Sequence, residues 1–165
     1  RTNNELGGSE YYEYVHDFIG GVAPKINLLE SKKNMDSVLK IIQNGMVKVA
    51  HDCAKGGLAI AVSELAMTSN VGCVVSLDKV PQEKLDSSKL LFSESHSRYL
   101  LVAEKSKANS ILSELKKKNV THSQIGVFQG NEIIFSDKKK QIVKLRVDKA
   151  HEKWFNSLRD LVLHA

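Results

Sequence analysis

The sequence predicts an α+β fold, a mixed β-sheet with helices packed against it, and three observations lead there. Apolar residues recur at helical spacing in residues 31–44, 57–69, 106–118 and 149–164. Between these segments lie short β-rich runs bounded by Gly, Pro, Asn, Asp or Ser. The chain has 165 residues, 42% of them hydrophobic and 26% charged, the balance of an ordinary globular domain with a core of its own. A single domain over residues 1–165 is therefore expected.

Taken in order, Ser9 is placed to cap a short helix over SEYYEYVH, with Glu10 and Glu13 where the helix dipole favours acids. Gly20, Gly21 and Pro24 then break the chain. The next helix covers 31–44: Met35, Val38, Leu39, Ile41 and Ile42 share helical spacing, Ser31 or Asn34 serves as cap, and Gly45 suits the left-handed residue past the last turn. Residues 46–50 form an apolar run that reads as a buried strand emptying into a polar turn at His51 and Asp52.

A helix follows from Gly57, with Leu58, Ala61, Val62 and Leu65 on one face and Asn70 as its stop. Strands are expected over 71–77, 89–92 and 98–103, with a polar connection containing Pro81. Residues 106–118 form a helix capped by Ser106, with Ile111, Leu112 and Leu115 inward and cations in its last turn. Strands over 120–128, 132–135 and 141–147 are separated by Gly130-Asn131 and Ser136-Asp137. A final amphipathic helix over 149–164 is expected to bury Trp154, Leu158, Leu161 and Val162.

Several functional classes fall away. No run approaches the roughly 18 apolar residues of a membrane span, and no basic leader with an apolar run and cleavage site stands near the start. A soluble, cytoplasmic protein without a membrane partner is expected. Cys53 and Cys73 match no zinc spacing and fit a reducing compartment. The net charge of +5 sits largely in Lys116–Lys118 and Lys138–Lys140, with no aromatic residues interleaved for base stacking. These lysines are read as solvated residues at a helix end and in a turn, and no nucleic-acid partner is expected. His16, His51, His122, His151 and His164 show no ligand pattern, so no metal site is assigned, and no catalytic residue either, since Cys53 lacks an evident base.

The chemistry-bearing segment is His51-Asp52-Cys53-Ala54-Lys55-Gly56-Gly57-Leu58, a strand end, a glycine turn and a helix start. Glycines there let the backbone approach a ligand while amide donors and the positive end of the dipole face an anion, a phosphate-binding geometry; the competing reading is a structural turn alone, since glycines are routine at such junctions. Asp52 has two readings, acceptor from a ribose or amide donor, or holder of the turn. A second segment, FSESHSR, packs Glu94, three serines and Arg98 between two apolar runs. Glu94 accepts protons, Ser95 donates to phosphate, and Arg98 offers two bonds to a carboxylate or phosphate. The competing reading is an internal Glu94–Arg98 ion pair serving structure alone.

HDCAKGGL resembles the HDxSxGGL signature in the C-terminal domains of the aminoimidazole-ribonucleotide-synthetase superfamily. With Leu6-Gly7-Gly8-Ser9-Glu10-Tyr11 (LGGSEY) and Phe92 to Tyr99 (FSESxSR followed by an aromatic), it is most similar to the phosphoribosylformylglycinamidine synthases. Sister families such as selenophosphate synthetases, thiamine-phosphate kinases and hydrogenase-maturation proteins would share the glycine turn but lack the other two strings. A non-catalytic scaffold domain is the alternative of a different kind. The chain departs from the pattern at Ala54, where the family usually has serine, at Lys55, and at His96, commonly proline.

The resemblance implies a C-terminal piece of a longer multidomain ligase that uses ATP and Mg2+ to convert formylglycinamide ribonucleotide to its amidine. It also implies that the catalytic histidines and most magnesium ligands lie in other domains of the same polypeptide. The implied partners are a glutaminase subunit and a small bridging subunit. Asp52, Gly56, Gly57, Glu94, Ser95 and Arg98 are the implied nucleotide-binding residues, and the isolated domain is expected to be inactive.

Overall fold

The structure, a computed structural model, describes residues 1–163 apart from the side chains of residues 158 and 160. Its elements are helix α1 (Glu10–His16), α2 (Leu28–Gln43), strand β1 (Val49–Asp52), α3 (Gly57–Ser69), β2 (Cys73–Ser76), a single 3-10 turn (Leu77–Lys79), α4 (Ser87–Phe92), β3 (Tyr99–Val102), α5 (Lys105–Lys117), β4 (Gly126–Phe128), β5 (Glu132–Asp137), β6 (Lys140–Arg146) and α6 (Val147–Leu163). The fold is α+β, as the periodicities require.

The chain forms two compact units, one of residues 1–61 and 79–124, the other of residues 62–78 and 125–165. In the first, β1 and β3 make a two-stranded antiparallel ladder, with Val49 opposite Val102 and Asp52 opposite Tyr99. Its core joins Ile41 of α2 to Ile111 and Leu115 of α5 and to Val120, with Met46, Val47, Leu101 and Ala103 packed at the margin. Each large aliphatic side chain buried this way contributes about 1.5–3 kcal/mol.

In the second unit the strand order is β4-β2-β5-β6. The β2–β5 pair is parallel and the β2–β4 and β5–β6 pairs are antiparallel, so this sheet is mixed. Ile133 and Phe135, alternate residues of β5, point to the buried face with Cys73 and Val75 of β2. Lys138 and Lys139, at φ 45° and 70°, make the two-residue turn between β5 and β6, so one lysine cluster is a hairpin turn and the other the end of α5.

Several expectations are corrected. Residues 89–92 are the end of a helix rather than a strand, because Asp86 accepts from the Lys89 N–H at 2.9 Å and caps α4. Helix α2 begins a turn earlier than expected, on an Asn27 cap, with Asn34 inside it. β1 starts at Val49 and is largely exposed, since only β3 pairs with it among the described residues. The helix cap before α5 is Glu104, without a side-chain cap bond, rather than Ser106. Of residues 120–128 only Gly126–Phe128 join the sheet.

The last helix forms, but Trp154, Leu161 and Val162 are exposed: Val147 is buried at its start and the apolar stripe beyond is uncovered. The side chain of Leu158, expected on that stripe, and His164 lie outside what the structure describes. Among the described residues no helix is long and apolar enough to cross a membrane.

Candidate functional site

The three sequence strings meet in the first unit. Residues 2–5 run beside the FSES segment: the Asn3 N–H donates to Ser95 Oγ at 3.0 Å, the Glu5 N–H to Ser93 Oγ at 3.3 Å, and the Glu94 N–H returns to the Glu5 carbonyl at 3.1 Å. Ser9 caps α1 by accepting from the Tyr12 N–H at 3.3 Å while its hydroxyl donates to the Leu6 carbonyl at 2.6 Å. The Tyr11 ring stacks on Phe92 with centroids 4.6 Å apart. Residues 2–5 thus strap FSES in place, and Tyr11 of LGGSEY braces it through Phe92.

The glycine turn closes the same junction. Gly56 and Gly57 have φ of 72° and 65°, a region costly for side chains other than glycine. A Cβ on Gly57 would stand 2.6 Å from the Ser93 carbonyl oxygen and 2.8 Å from that of Leu91. The Gly57 N–H donates to the Ala54 carbonyl at 3.1 Å and the Gly56 N–H to Glu94 Oε1 at 2.8 Å. The same Glu94 oxygen accepts the N–H of Glu10 at 3.1 Å. Lys55, fully exposed, meets the Glu10 carboxylate at 2.8 Å, and that hydrogen bond holds its ammonium above the ordinary lysine value.

Arg98 does not pair with Glu94. It is 8% exposed, and its donors go to the Ser95 carbonyl at 2.9 Å, the Thr2 hydroxyl at 3.2 Å and the Ser93 carbonyl. Burial pulls the guanidinium down from its ordinary value, opposed by the nearby carboxylates of Glu5 and Glu94. The planar fork suits this task, since it supplies several donors in fixed directions to backbone oxygens. Ser95, 1% exposed, has its oxygen engaged by Asn3.

Asp52 differs from the other five residues. Its side chain is 69% exposed, at the open end of β1, with the His51 ring nitrogen 2.6 Å from its carbonyl oxygen. Among the six expected site residues, Asp52 presents a carboxylate to solvent, Glu94 is half-buried, and Gly56, Gly57, Ser95 and Arg98 lie inside the junction.

Burial pushes the Cys53 thiol up, with the Arg98 charge pulling the other way, and burial pushes Cys73 up to about 11. Both thiols are free and buried, which disfavours the nucleophilic thiolate.

Sequence reasoning missed Thr2, Asn3, Glu5, Glu10 and Asn34. Glu5 accepts from the Lys25 N–H at 3.0 Å, and although burial raises its carboxyl, hydrogen bonds from Ser95, Lys25 and Asn3 hold it below the ordinary value. Asn34 donates to the Ser97 carbonyl at 3.2 Å and hydroxyl at 3.1 Å, fixing a serine at φ 60°. Its own Oδ1 is buried without a partner. The LGGSEY string was the available signal for Glu10; Thr2, Asn3 and Asn34 had none, because their partners lie 96, 92 and 63 residues away.

An α+β unit in which a double-glycine helix entry is closed by a serine-rich, arginine-clamped loop defines the class. The chain belongs to the family described as AIR synthase related protein, C-terminal domain, whose model matches residues 2–138. It is 33% identical over 161 residues to phosphoribosylformylglycinamidine synthase subunit PurL of Methanococcus aeolicus, covering 98% of this chain and 21% of that protein. PurL of Thermococcus kodakarensis is 39% identical over 150 residues, covering 88% and 20%. T. maritima PurL, solved in complex with ATP, superposes with a TM-score of 0.68 at 25% identity over 73% of this chain and 21% of that one. The chain spans about a fifth of the length of the curated relatives it matches.

Proposed function

We propose that this chain is the C-terminal domain of an ATP-dependent phosphoribosylformylglycinamidine synthase, a cytoplasmic carbon–nitrogen ligase of purine biosynthesis. The observation that carries the reading is the similarity to PurL along 98% of the chain. The hydrogen-bonded meeting of LGGSEY, HDCAKGGL and FSESHSR supports it, because a shared turn alone would fit any member of the superfamily.

In the proposed reaction the formyl-amide oxygen of formylglycinamide ribonucleotide takes the γ-phosphoryl group of ATP, leaving ADP and an iminophosphate. Ammonia attacks the carbon, and inorganic phosphate departs as the amidine forms. The ammonia comes from a glutaminase partner joined through a small bridging subunit. Magnesium, when bound, neutralises the phosphates. In this reading most of its ligands belong to other domains of the same polypeptide.

The part assigned to this chain is a wall of the nucleotide surface that the other domains complete. Asp52 supplies its exposed acceptor, Gly56, Gly57 and Glu94 shape the turn behind it, and Ser95 and Arg98 are positioning residues that hold the FSES backbone. The test is an assay of the full polypeptide with formylglycinamide ribonucleotide, ATP, Mg2+ and ammonium. Equal amounts of ADP and amidine are expected from it and none from the 165-residue chain alone. A full polypeptide that turns over ATP without amidine would overturn the reading.

A further inference from the structure

Two glycines at positive φ ahead of a helix offer amide donors of the kind that hold phosphate. Here those donors are already taken. Glu94 Oε1 accepts from Gly56 at 2.8 Å and from Glu10 at 3.1 Å, and the Gly57 N–H is bonded to the Ala54 carbonyl at 3.1 Å. One carboxylate oxygen therefore ties the glycine turn to the first residue of α1.

The rest of the junction keeps that oxygen in place. The backbone of Glu94 is anchored by its bond to Glu5 at 3.1 Å, and the carbonyls on either side, of Ser93 and Ser95, are both clamped by Arg98. The carboxylate thus projects from a fixed backbone. A phosphate at the turn would have to displace this carboxylate from both amides.

We infer that Glu94 is the resident anion of the Gly56–Gly57 turn. It positions the LGGSEY and HDCAKGGL segments against each other and excludes phosphate from the turn, so that nucleotide phosphates in the full polypeptide are held outside it. This deepens the wall described above by naming a part of it that does not touch phosphate. It rests on local geometry and stands whichever substrate the polypeptide uses.

Hydrogen exchange followed by mass spectrometry on the full polypeptide tests it, reading the peptides that contain Gly56 and Glu10 in chloride, formate or inorganic phosphate at equal ionic strength. In the unaltered protein both peptides should exchange slowly and alike in all three salts. Glu94→Ala should speed both by about tenfold or more, the effect of freeing an amide from a charge-assisted bond. Formate, a small carboxylate able to take the vacated position, should slow them again, which a merely structural defect would not allow.

Glu94→Asp, whose carboxylate is one methylene short of the two amides, carries the test if the alanine variant does not fold. It should speed the same two peptides together and leave the α5 peptides unchanged. The inference is overturned if phosphate slows exchange at Gly56 in the unaltered protein, if formate has no effect on Glu94→Ala, or if either substitution leaves both peptides unchanged. None of these readouts depends on ligase activity, so failure here and failure of the assay above are separate results.

Discussion

The Glu94 junction of the first unit and the β6–α6 segment of the second satisfy their side chains in opposite ways. In the junction Thr2, Ser9, Ser93, Ser95 and Arg98 are all buried, and each has a specific partner at hydrogen-bond distance. In α6, Trp154, Phe155, Leu161 and Val162 are exposed and the ion pairs, such as Arg146 with Asp148 at 2.7 Å, lie on the surface. Buried polar groups tolerate little change, because losing one partner strands the other without water. Exposed apolar groups tolerate much, because nothing packs on them yet.

That contrast is broken or sharpened by substitution, beginning where the effect is largest. Arg98→Ala is expected to lower the unfolding free energy by about 3–5 kcal/mol in urea denaturation, since it strands two buried carbonyls and a hydroxyl at about 1–3 kcal/mol each, partly relieved by relaxation. Arg98→Lys should recover only part of this, because an ammonium cannot reproduce the fork. A loss under about 1 kcal/mol for Arg98→Ala would erase the distinction between the two regions.

Gly57→Ala comes next, at about 1–3 kcal/mol, from positive φ together with the close approach of the Ser93 carbonyl. The same assay reads it, and Gly130→Ala is the control, with positive φ of 70° but open space around its Cβ. Equal losses at both positions would show that φ alone matters.

A pH series gives a third measure. Glu5 has a folded-state pKa below its ordinary 4.5, so it stabilises the fold at pH above that value, and the contribution is lost as the pH falls through the folded pKa. Unfolding in acid followed by circular dichroism should therefore show a shallower decline for Glu5→Gln than for the unaltered chain. Identical slopes would remove the Glu5 carboxylate from the junction's network.

The smallest effects belong to α6. Trp154→Ser and Leu161→Ser should each change stability by no more than about 0.5 kcal/mol, as surface positions do. A loss of about 2 kcal/mol or more at either would mean that the face is covered in the folded chain.

Legibility in the sequence followed the range of the interactions. Helix α3 was readable from Gly57 to its stop at Asn70, because its apolar spacing and its glycine entry are local signals. The Ser9 cap was readable for the same reason. Residues 89–92 misled, since Leu90, Leu91 and Phe92 suit a buried strand as well as one helical turn, and the Asp86 cap decides between them. Trp154 and Leu161 misled because amphipathic spacing says that a face is apolar and not what lies against it.

By itself, then, the sequence determined the α+β class, most of the elements, and the three strings that place the chain in its family. Tertiary structure alone decided that Arg98 clamps carbonyls rather than pairing with Glu94, and that the anion at the glycine turn is the protein's own carboxylate. The physical reason is distance along the chain: Glu94 meets Gly56 and Glu10 across 38 and 84 residues, and no local pattern encodes which donor a carboxylate will find when the backbone folds.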